Sequence, residues 1–326
     1  MMSPGGTDSR RHSPGLIRRW FLSEHLVLGL TLLLFLCLAP VTPGLATRAS
    51  FLNILSYLLP LLVVAVGMTV VMITGGIDQS VTSIIALTSV AGASLISIPS
   101  VGVAGSVAVM MILGGVLGAL NGAAITLLRL PAFIVTLASM MFWSGFAIWI
   151  TQSKNIGRLP ENFLVLGRNL PIMLVLSLGV CFLIHLSLQR TIYGRWLYAT
   201  GQNPVAARIS GVPVQKVTLG VYVVSGLCAG LASVLLTARL ETGSPVLARE
   251  ILLDIIGATV VGGTSLFGGR GKVAWTLSGV IFLTLLDNAL NLLNLSQFSI
   301  TITKGTVILG AAVLDSLRMR MNTRAT

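Results

Sequence analysis

The stretch Leu253-Asp-Ile-Ile-Gly-Ala-Thr-Val-Val-Gly-Gly-Thr-Ser-Leu-Phe-Gly-Gly-Arg-Gly271 breaks an apolar pattern of membrane-spanning length with glycines and one acid. Irregular backbone at bilayer depth is tolerated only where protein or a water-filled cavity satisfies its N–H and C=O groups. The stretch therefore predicts a helical membrane protein whose interior includes a polar region.

The composition of the 326-residue chain is that of an integral membrane protein. Hydrophobic residues make up 55% and charged residues 9%, and the mean hydropathy is +0.95, whereas a soluble domain is about 25% charged. Apolar runs of about 20 residues predict spanning helices, because barrel strands would be about half as long and would alternate polar with apolar residues. The predicted fold class is all-α, a polytopic transmembrane helix bundle.

The hydropathy pattern predicts about ten spans. They cover residues 26–43, 51–74, 80–98, 101–128, 131–151, 170–188, 217–239, 252–268, 273–293 and 298–316. We expect a single transmembrane domain over residues 26–318, an N-terminal tail over residues 1–25 and a C-terminal tail over residues 319–326.

The formal net charge of +12 is explained by membrane orientation rather than by a nucleic-acid partner. With the N-terminus inside, the cytoplasmic side receives Arg10, Arg11, Arg18, Arg19, Arg129, Arg190, Arg195, Arg208, Lys216, Arg270, Lys272, Arg318, Arg320 and Arg324. The excess of bases on one side obeys the positive-inside rule, so both tails are predicted to be cytoplasmic.

Polar residues within the apolar pattern are candidates for a pathway, because each costs a few kcal/mol at the membrane centre unless it faces protein or water. Asp78 and Ser80 lie in Thr74-Gly-Gly-Ile-Asp-Gln-Ser80, between the second and third spans, where they could also cap the next helix. A second set comprises Asn121, Asp254, Asp287, Asn288, Asn291 and Lys304. Lys304 could pair with one of the acids, either structurally or within a pathway.

The longest predicted cytoplasmic loop, residues 189–216, contains a short amphipathic pattern. Pro204 suits the first turn of a helix, and Gly211 suits its end. Val205, Ala206, Ile209 and Val212 would share one side of that helix. Such an element docks into a groove of a partner protein or lies at the lipid interface.

Glycines recur every four residues in two spans. Gly114, Gly118 and Gly122 mark one face, and Gly226 and Gly230 mark another. These faces permit close helix contact, which we expect within one subunit rather than between subunits.

Sequence motifs of several enzyme classes are missing. The chain has no Gly-x-x-x-x-Gly-Lys-Ser/Thr loop for ATP and no His-Glu-x-x-His or Gly-x-Ser-x-Gly motif. His12, His25 and His185 are scattered, and the three cysteines have no metal-ligand spacing. We therefore predict no catalytic, metal or cofactor site in this chain, and transport is the remaining function.

Several motifs, in order from the second span to the C-terminus, resemble the permease subunits of ribose-type ABC sugar importers. They are Gly75-Gly-Ile-Asp-Gln-Ser80, Asn121-Gly122 with Leu130-Pro-Ala-Phe-Ile-Val-Thr-Leu137, Ala199-Thr-Gly-Gln-Asn-Pro-Val-Ala-Ala-Arg-Ile-Ser-Gly211, residues 254–271, Asn288-Ala-Leu-Asn-Leu-Leu293 and Ala311-Ala-Val-Leu-Asp-Ser-Leu-Arg318. The resemblance implies that loop 189–216 couples the permease to an ATPase.

The resemblance assigns ATPase coupling to Gly201, Asn203, Ala206, Ala207, Arg208 and Gly211. Together with the polar residues inside the apolar pattern, it suggests a pathway or gating role for Asp78, Ser80, Asn121, Asp254, Gly262, Gly263, Thr264, Ser265, Asn288 and Asn291.

A permease of this kind lies in the bacterial inner membrane and forms the pathway for a small sugar, such as a pentose, a hexose or a related polyol. A periplasmic binding protein delivers the sugar, a second permease copy or a paralogue completes the dimer, and a separate ABC ATPase subunit binds ATP and Mg. The alternative is an ion-coupled secondary sugar transporter, with Asp78, Asp254, Asp287 and Lys304 binding protons or sodium at unwound helix ends.

Overall fold

A computed structural model describes residues 26–323 of the chain, and the secondary structure over that range is helical. The helices are α1 Leu26–Leu38, α2 Arg48–Ile73, α3 Val81–Leu95, α4 Gly102–Leu127, α5 Ala132–Thr151, α6 Glu161–Arg168, α7 Leu170–Arg190, α8 Ile192–Gln202, α9 Pro204–Ile209, α10 Val214–Leu240, α11 Leu252–Gly262, α12 Val273–Leu292 and α13 Gln297–Thr323. The predicted N-terminal tail, residues 1–25, and the last three residues of the predicted C-terminal tail lie outside the described residues.

Six helices are long and apolar enough to cross a membrane: α2, α4, α5, α7, α10 and α12. Shorter apolar helices occupy residues 26–38, 81–95, 252–262 and 297–313. The all-α prediction is confirmed, and each predicted span contains a helix.

Helix α2 is the centre of the bundle. Its most apolar window is 83% buried, compared with 17% in α5 and in α7, because it packs against α7, α10, α11 and α12. A helix that is hydrophobic all round, as α2 is from Leu58 to Ile73, is typical of such a central position.

The glycine faces pair with each other inside this chain. Helices α4 and α10 form the most extensive helix contact of the bundle. A Cβ atom on Gly114 or Gly118 would collide with the backbone of α10 at Gly226 or Tyr222. The predicted packing within one subunit is confirmed, since glycine alone allows this approach.

The bundle has two ends. One end, here called the loop face, contains α8 and α9, the C-terminal ends of α2 and α7, and the N-terminal ends of α10 and α12. The other end, the opposite face, contains α6 and the turns at residues 39–47, 152–160, 241–251 and 293–296. The amphipathic helix α6 was not predicted.

Two predicted segments differ from the structure. Loop 189–216 contains a second helix, α8, before the predicted short helix, because Thr191 accepts a hydrogen bond from the Gly194 amide at 3.2 Å and so begins α8. The predicted span 252–268 is helical only to Gly262, because Gly263 has a φ of +110°, a conformation that ends a helix and favours glycine.

Candidate functional site

A cavity of about 710 Å³ opens near the opposite face and is lined by residues of α2, α11, α12 and α13. Its hydrogen-bonding side chains include those of Tyr57, Asp254, Asp287, Asn291 and Lys304. A cleft of this size with a few converging polar groups is the usual form of a small-molecule site.

Lys304 links three helices at this cavity. Its Nζ atom lies 3.1 Å from Asp254 Oδ2 and 2.5 Å from Asp287 Oδ1. The side chains of Lys304, Asp254 and Asp287 are only 14%, 8% and 22% exposed, so one ammonium group balances two poorly solvated carboxylates. The predicted pairing of Lys304 with an acid is therefore confirmed, and both acids take part.

Neighbouring groups extend this cluster. Asn291 donates a hydrogen bond to Asp287 Oδ2 at 3.2 Å, and the Tyr57 hydroxyl lies 3.5 Å from Asp254 Oδ2. The guanidinium of Arg239 lies 5.7 Å above the Tyr57 ring, within the range of a cation–π contact. These groups offer both donors and acceptors, as a polyhydroxylated solute requires.

Asn288 has a different environment from Asn291. Its side-chain amide donates to Ser50 Oγ at 2.8 Å and so ties α12 to the start of α2. Asn288 does not line the cavity, although the sequence grouped it with the pathway residues.

A glycine-rich segment, residues 262–271, leads from α11 to the loop face. Gly262 lies against the Trp275 carbonyl of α12, and its neighbours Thr264 and Ser265 are buried. The Ser265 amide donates to the Arg270 carbonyl at 3.0 Å, and the Ser265 hydroxyl accepts from the Phe267 amide at 3.2 Å. The non-helical backbone is thus largely satisfied by protein, as the bilayer requires.

At the loop face, three glycine-containing segments meet in what we call the glycine junction: Gly75, Gly201, Gly268 and Gly269, with the carbonyl of Ile73. The Gly269 amide donates to that carbonyl at 2.8 Å. A Cβ atom on Gly201 would collide with the same carbonyl, and one on Gly268 would lie 2.8 Å from the Gly201 oxygen. The junction joins α2, α8 and the glycine-rich segment without intervening side chains.

A second tie holds α8 to the same segment. The Tyr198 hydroxyl donates to the Gly271 carbonyl at 2.7 Å. Burial raises the pKa of Tyr198, so the phenol stays protonated and remains a donor at neutral pH.

Asp78 is the centre of a polar cluster formed with the buried side chains of Ser80, Asn121 and Ser225 and the half-buried Ser139. Its carboxylate accepts from the Ser80 amide at 3.1 Å, from Ser80 Oγ at 2.6 Å and from Ser225 Oγ at 2.8 Å. Asn121 donates to Ser80 Oγ at 2.7 Å and accepts from Ser139 Oγ at 2.5 Å. The cluster joins α3, α4, α5 and α10 around the turn that follows α2.

The Asp78 cluster brings together three of the predicted site residues, yet it does not line the opposite-face cavity. Asp78, Ser80 and Asn121 are all buried. Sequence reasoning missed Ser139 and Ser225, because single serines in apolar helices form no motif.

The predicted coupling helix is present as α9, between Asn203 and Gly211. Asn203 Oδ1 accepts from the amides of Val205 and Ala206, each at 3.0 Å, and so caps the helix. Ala207 is buried against the protein, whereas Val205 and Ile209 are 67% and 83% exposed. Val205 and Ile209 are one helical turn apart and therefore lie on the same side of α9.

The family is identified by direct comparison with known proteins. Residues 50–314 match the family described as the branched-chain amino acid transport system / permease component. The chain belongs to this permease family. No solved structure matches the chain significantly.

Relatives within this permease family extend over nearly the whole chain. The ribose import permease protein RbsC of Escherichia coli K12 is 36% identical over 92% of this chain and 95% of its own length. The RbsC protein of Bacillus subtilis is 37% identical over 88% of this chain and 91% of its own. The L-arabinose transport system permease protein AraH of Escherichia coli K12 is 33% identical over 98% of each chain.

These relatives bear out the resemblance to sugar-import permeases that the ordered motifs indicated. The family and the apolar helices together assign the chain to the multi-pass membrane proteins that act as permease components of transport systems.

Proposed function

We propose that this chain forms the translocation pathway of an ATP-driven importer for a small sugar, such as a pentose, a hexose or a related polyol. The ribose and L-arabinose permeases among its relatives support this substrate class. So does the opposite-face cavity, whose amide, hydroxyl, carboxylate and ammonium groups match the hydrogen-bonding needs of a sugar.

The loop face is cytoplasmic in this proposal. Its bases between the first and last helices are Arg129, Arg190, Arg195, Arg208, Lys216, Arg270 and Lys272, and the opposite face has Arg48, Lys154, Arg158, Arg168, Arg239 and Arg249. The excess on the loop face therefore comes from the bases at the two ends of the chain: Arg10, Arg11, Arg18, Arg19, Arg318, Arg320 and Arg324. With these on the cytoplasmic side, the proposal follows the positive-inside rule. The four shorter apolar helices complete ten spans, with α11 and the glycine-rich segment acting together as one, and both tails are cytoplasmic.

Each face of the bundle binds a different partner protein in this proposal. A separate ABC ATPase binds ATP and Mg and contacts the coupling residues of α8 and α9. A periplasmic binding protein delivers the sugar at the opposite face, and a second permease, identical or paralogous, completes the assembly in the bacterial inner membrane. This chain forms the pathway and performs no hydrolysis.

The proposed mechanism rests on the backbone contacts of the glycine junction. Movement of α9 by the ATPase displaces α8. Gly201 transmits the displacement to Ile73 and Gly269, because their backbones are in direct contact with no side chain between them. Ile73 leads into the turn of the Asp78 cluster, and Gly269 leads through the glycine-rich segment to α11 and the cavity. Packed interfaces respond to such shifts by switching between discrete arrangements, as alternating access requires.

The test is ATP-driven sugar uptake into proteoliposomes that contain this chain, its ATPase and its binding protein, with each component omitted in turn. We expect uptake only when all three are present. Uptake by this chain alone, driven by an ion gradient, would identify a secondary carrier instead and refute the coupling role of α8 and α9.

A further inference from the structure

A cleft of about 400 Å³ lies on the loop face, between the end of α4, the coupling helix α9 and the start of α10. Arg129 and Arg208 line it together with Thr126, Gln215 and Thr218. At about 30 Å³ per water molecule, the cleft has room for on the order of ten waters or for an entering side chain.

The two guanidinium groups have no counterion in the described part of the chain. Neither Arg129 nor Arg208 forms an ion pair or a side-chain hydrogen bond there, and neither is buried. Two like charges beside one cleft favour an incoming anion, and the planar fork of arginine suits an oxyanion.

Arg129 also occupies an unusual backbone position. It has a φ of +56°, in the left-handed region where glycine or asparagine is normally preferred. It lies between the end of α4 at Leu127 and the start of α5 at Ala132. A turn that would favour glycine thus presents a guanidinium to the cleft.

We infer that the cleft receives an acidic side chain of the ATPase subunit, with Arg129 and Arg208 holding its carboxylate; this inference rests on the proposed function. The side chains of Val205 and Ile209 are exposed on the same short helix as Arg208, and this small apolar face without Trp or Phe suits a protein contact better than a lipid interface. Arg129 thereby becomes a docking residue outside the predicted coupling loop.

The experiment measures the affinity of the ATPase for the full-length permease in phosphatidylcholine nanodiscs, at low and high salt. We expect Arg129→Gln to weaken binding about tenfold at low salt and to reduce the salt dependence, since it removes one buried charge contact. Arg190→Gln is the matched control, because Arg190 is an exposed base of the same face that does not line the cleft. Its effect should be less than about threefold.

A charge exchange makes the test specific. Arg129→Glu should weaken binding more than Arg129→Gln, and one acidic-to-arginine replacement in the ATPase should restore it. The inference fails if Arg129→Gln binds the ATPase as wild type does, if no reversal restores binding, or if Arg129→Gln has no more effect than Arg190→Gln.

Nanodiscs of a second lipid composition test whether the anion in the cleft is a lipid headgroup rather than a carboxylate of the ATPase. If the Arg129→Gln effect occurs only in nanodiscs that contain phosphatidylglycerol, the cleft binds a lipid headgroup and the inference is overturned. If wild-type permease binds no ATPase at all, the proposed function fails as well. If wild-type permease takes up sugar normally and the Arg129 variants bind the ATPase with unaltered affinity, only this inference is overturned and the proposed function stands.

Discussion

The Gly269 amide donates a hydrogen bond to the Ile73 carbonyl at 2.8 Å, although the two residues lie 196 positions apart in sequence. The same carbonyl faces Gly201 of α8 so closely that a Cβ atom on Gly201 would collide with it. One backbone oxygen therefore joins the end of α2, helix α8 and the glycine-rich segment.

Gly201→Ala should uncouple transport. The added methyl group would push α8 away from Ile73 and Gly269, and overpacking of this kind costs about 1–3 kcal/mol. We expect ATP-driven uptake to fall by about tenfold or more, and ATPase affinity to fall less, because the exposed side chains of α9 are unchanged. Gly179→Ala on α7 is the control, since its Cβ would meet nothing within 4 Å. Equal uptake by the two variants would rule out the glycine junction as a transmission point.

Ser225→Ala should destabilise the bundle. It removes the donor to Asp78 Oδ2 and leaves a buried carboxylate short of one hydrogen bond, which costs about 1–3 kcal/mol. Ser94→Ala is the control, because the Ser94 hydroxyl bonds only to the Val90 carbonyl of its own helix. Thermal unfolding in detergent measures the difference, and coincident unfolding curves for both variants would contradict the assigned role of the cluster.

Asp78→Asn separates a structural role of the cluster from a pathway role. We expect both lower stability and slower uptake, because the cluster orients the turn between α2 and α3. If the variant unfolds and transports like wild type, Asp78 has neither role.

Lys304→Met should leave Asp254 and Asp287 without their shared cation. Removing one partner of a buried pair costs about 3 kcal/mol or more, so the variant should unfold at a lower denaturant concentration. Adding Asp254→Asn and Asp287→Asn to Lys304→Met should recover most of the loss. Failure of the triple variant to regain stability would show that Lys304 acts through packing and not through charge.

Ile209→Asp should weaken ATPase docking. A carboxylate at the most exposed apolar position of α9 cannot enter an apolar contact without losing its hydration. We expect at least about a tenfold loss of affinity, whereas Ser210→Asp, at the neighbouring exposed position, should have a smaller effect. An unaltered dissociation constant for Ile209→Asp would place the docking surface elsewhere.

Much of the architecture could be predicted because it depends on local patterns. Pro204 and Gly211 correctly bounded α9, and the four-residue glycine spacing correctly predicted the close contact of α4 with α10. The pairing of Lys304 with an acid followed from the cost of an isolated charge in the membrane.

The rest depends on contacts between distant parts of the chain. Asn288 and Asn291 are three residues apart in the same motif, yet Asn288 faces Ser50 of α2 and only Asn291 lines the cavity. The rotation of α12 in the bundle decides this difference. The approach of Gly201 to Ile73 is equally invisible in the sequence. No periodicity connects a glycine of one helix to a carbonyl of another.

The most direct test measures how accessible the opposite-face cavity is to a labelling reagent when ATP binds to the ATPase at the loop face. Thr301→Cys, in a background with the native cysteines replaced by alanine, puts a single thiol at an exposed position of the cavity lining. The rate of labelling by a water-soluble maleimide is compared with and without ATP bound to the ATPase. We expect a severalfold change of rate that Gly201→Ala abolishes. A rate that does not respond to ATP, or that responds equally in Gly201→Ala, would contradict this expectation.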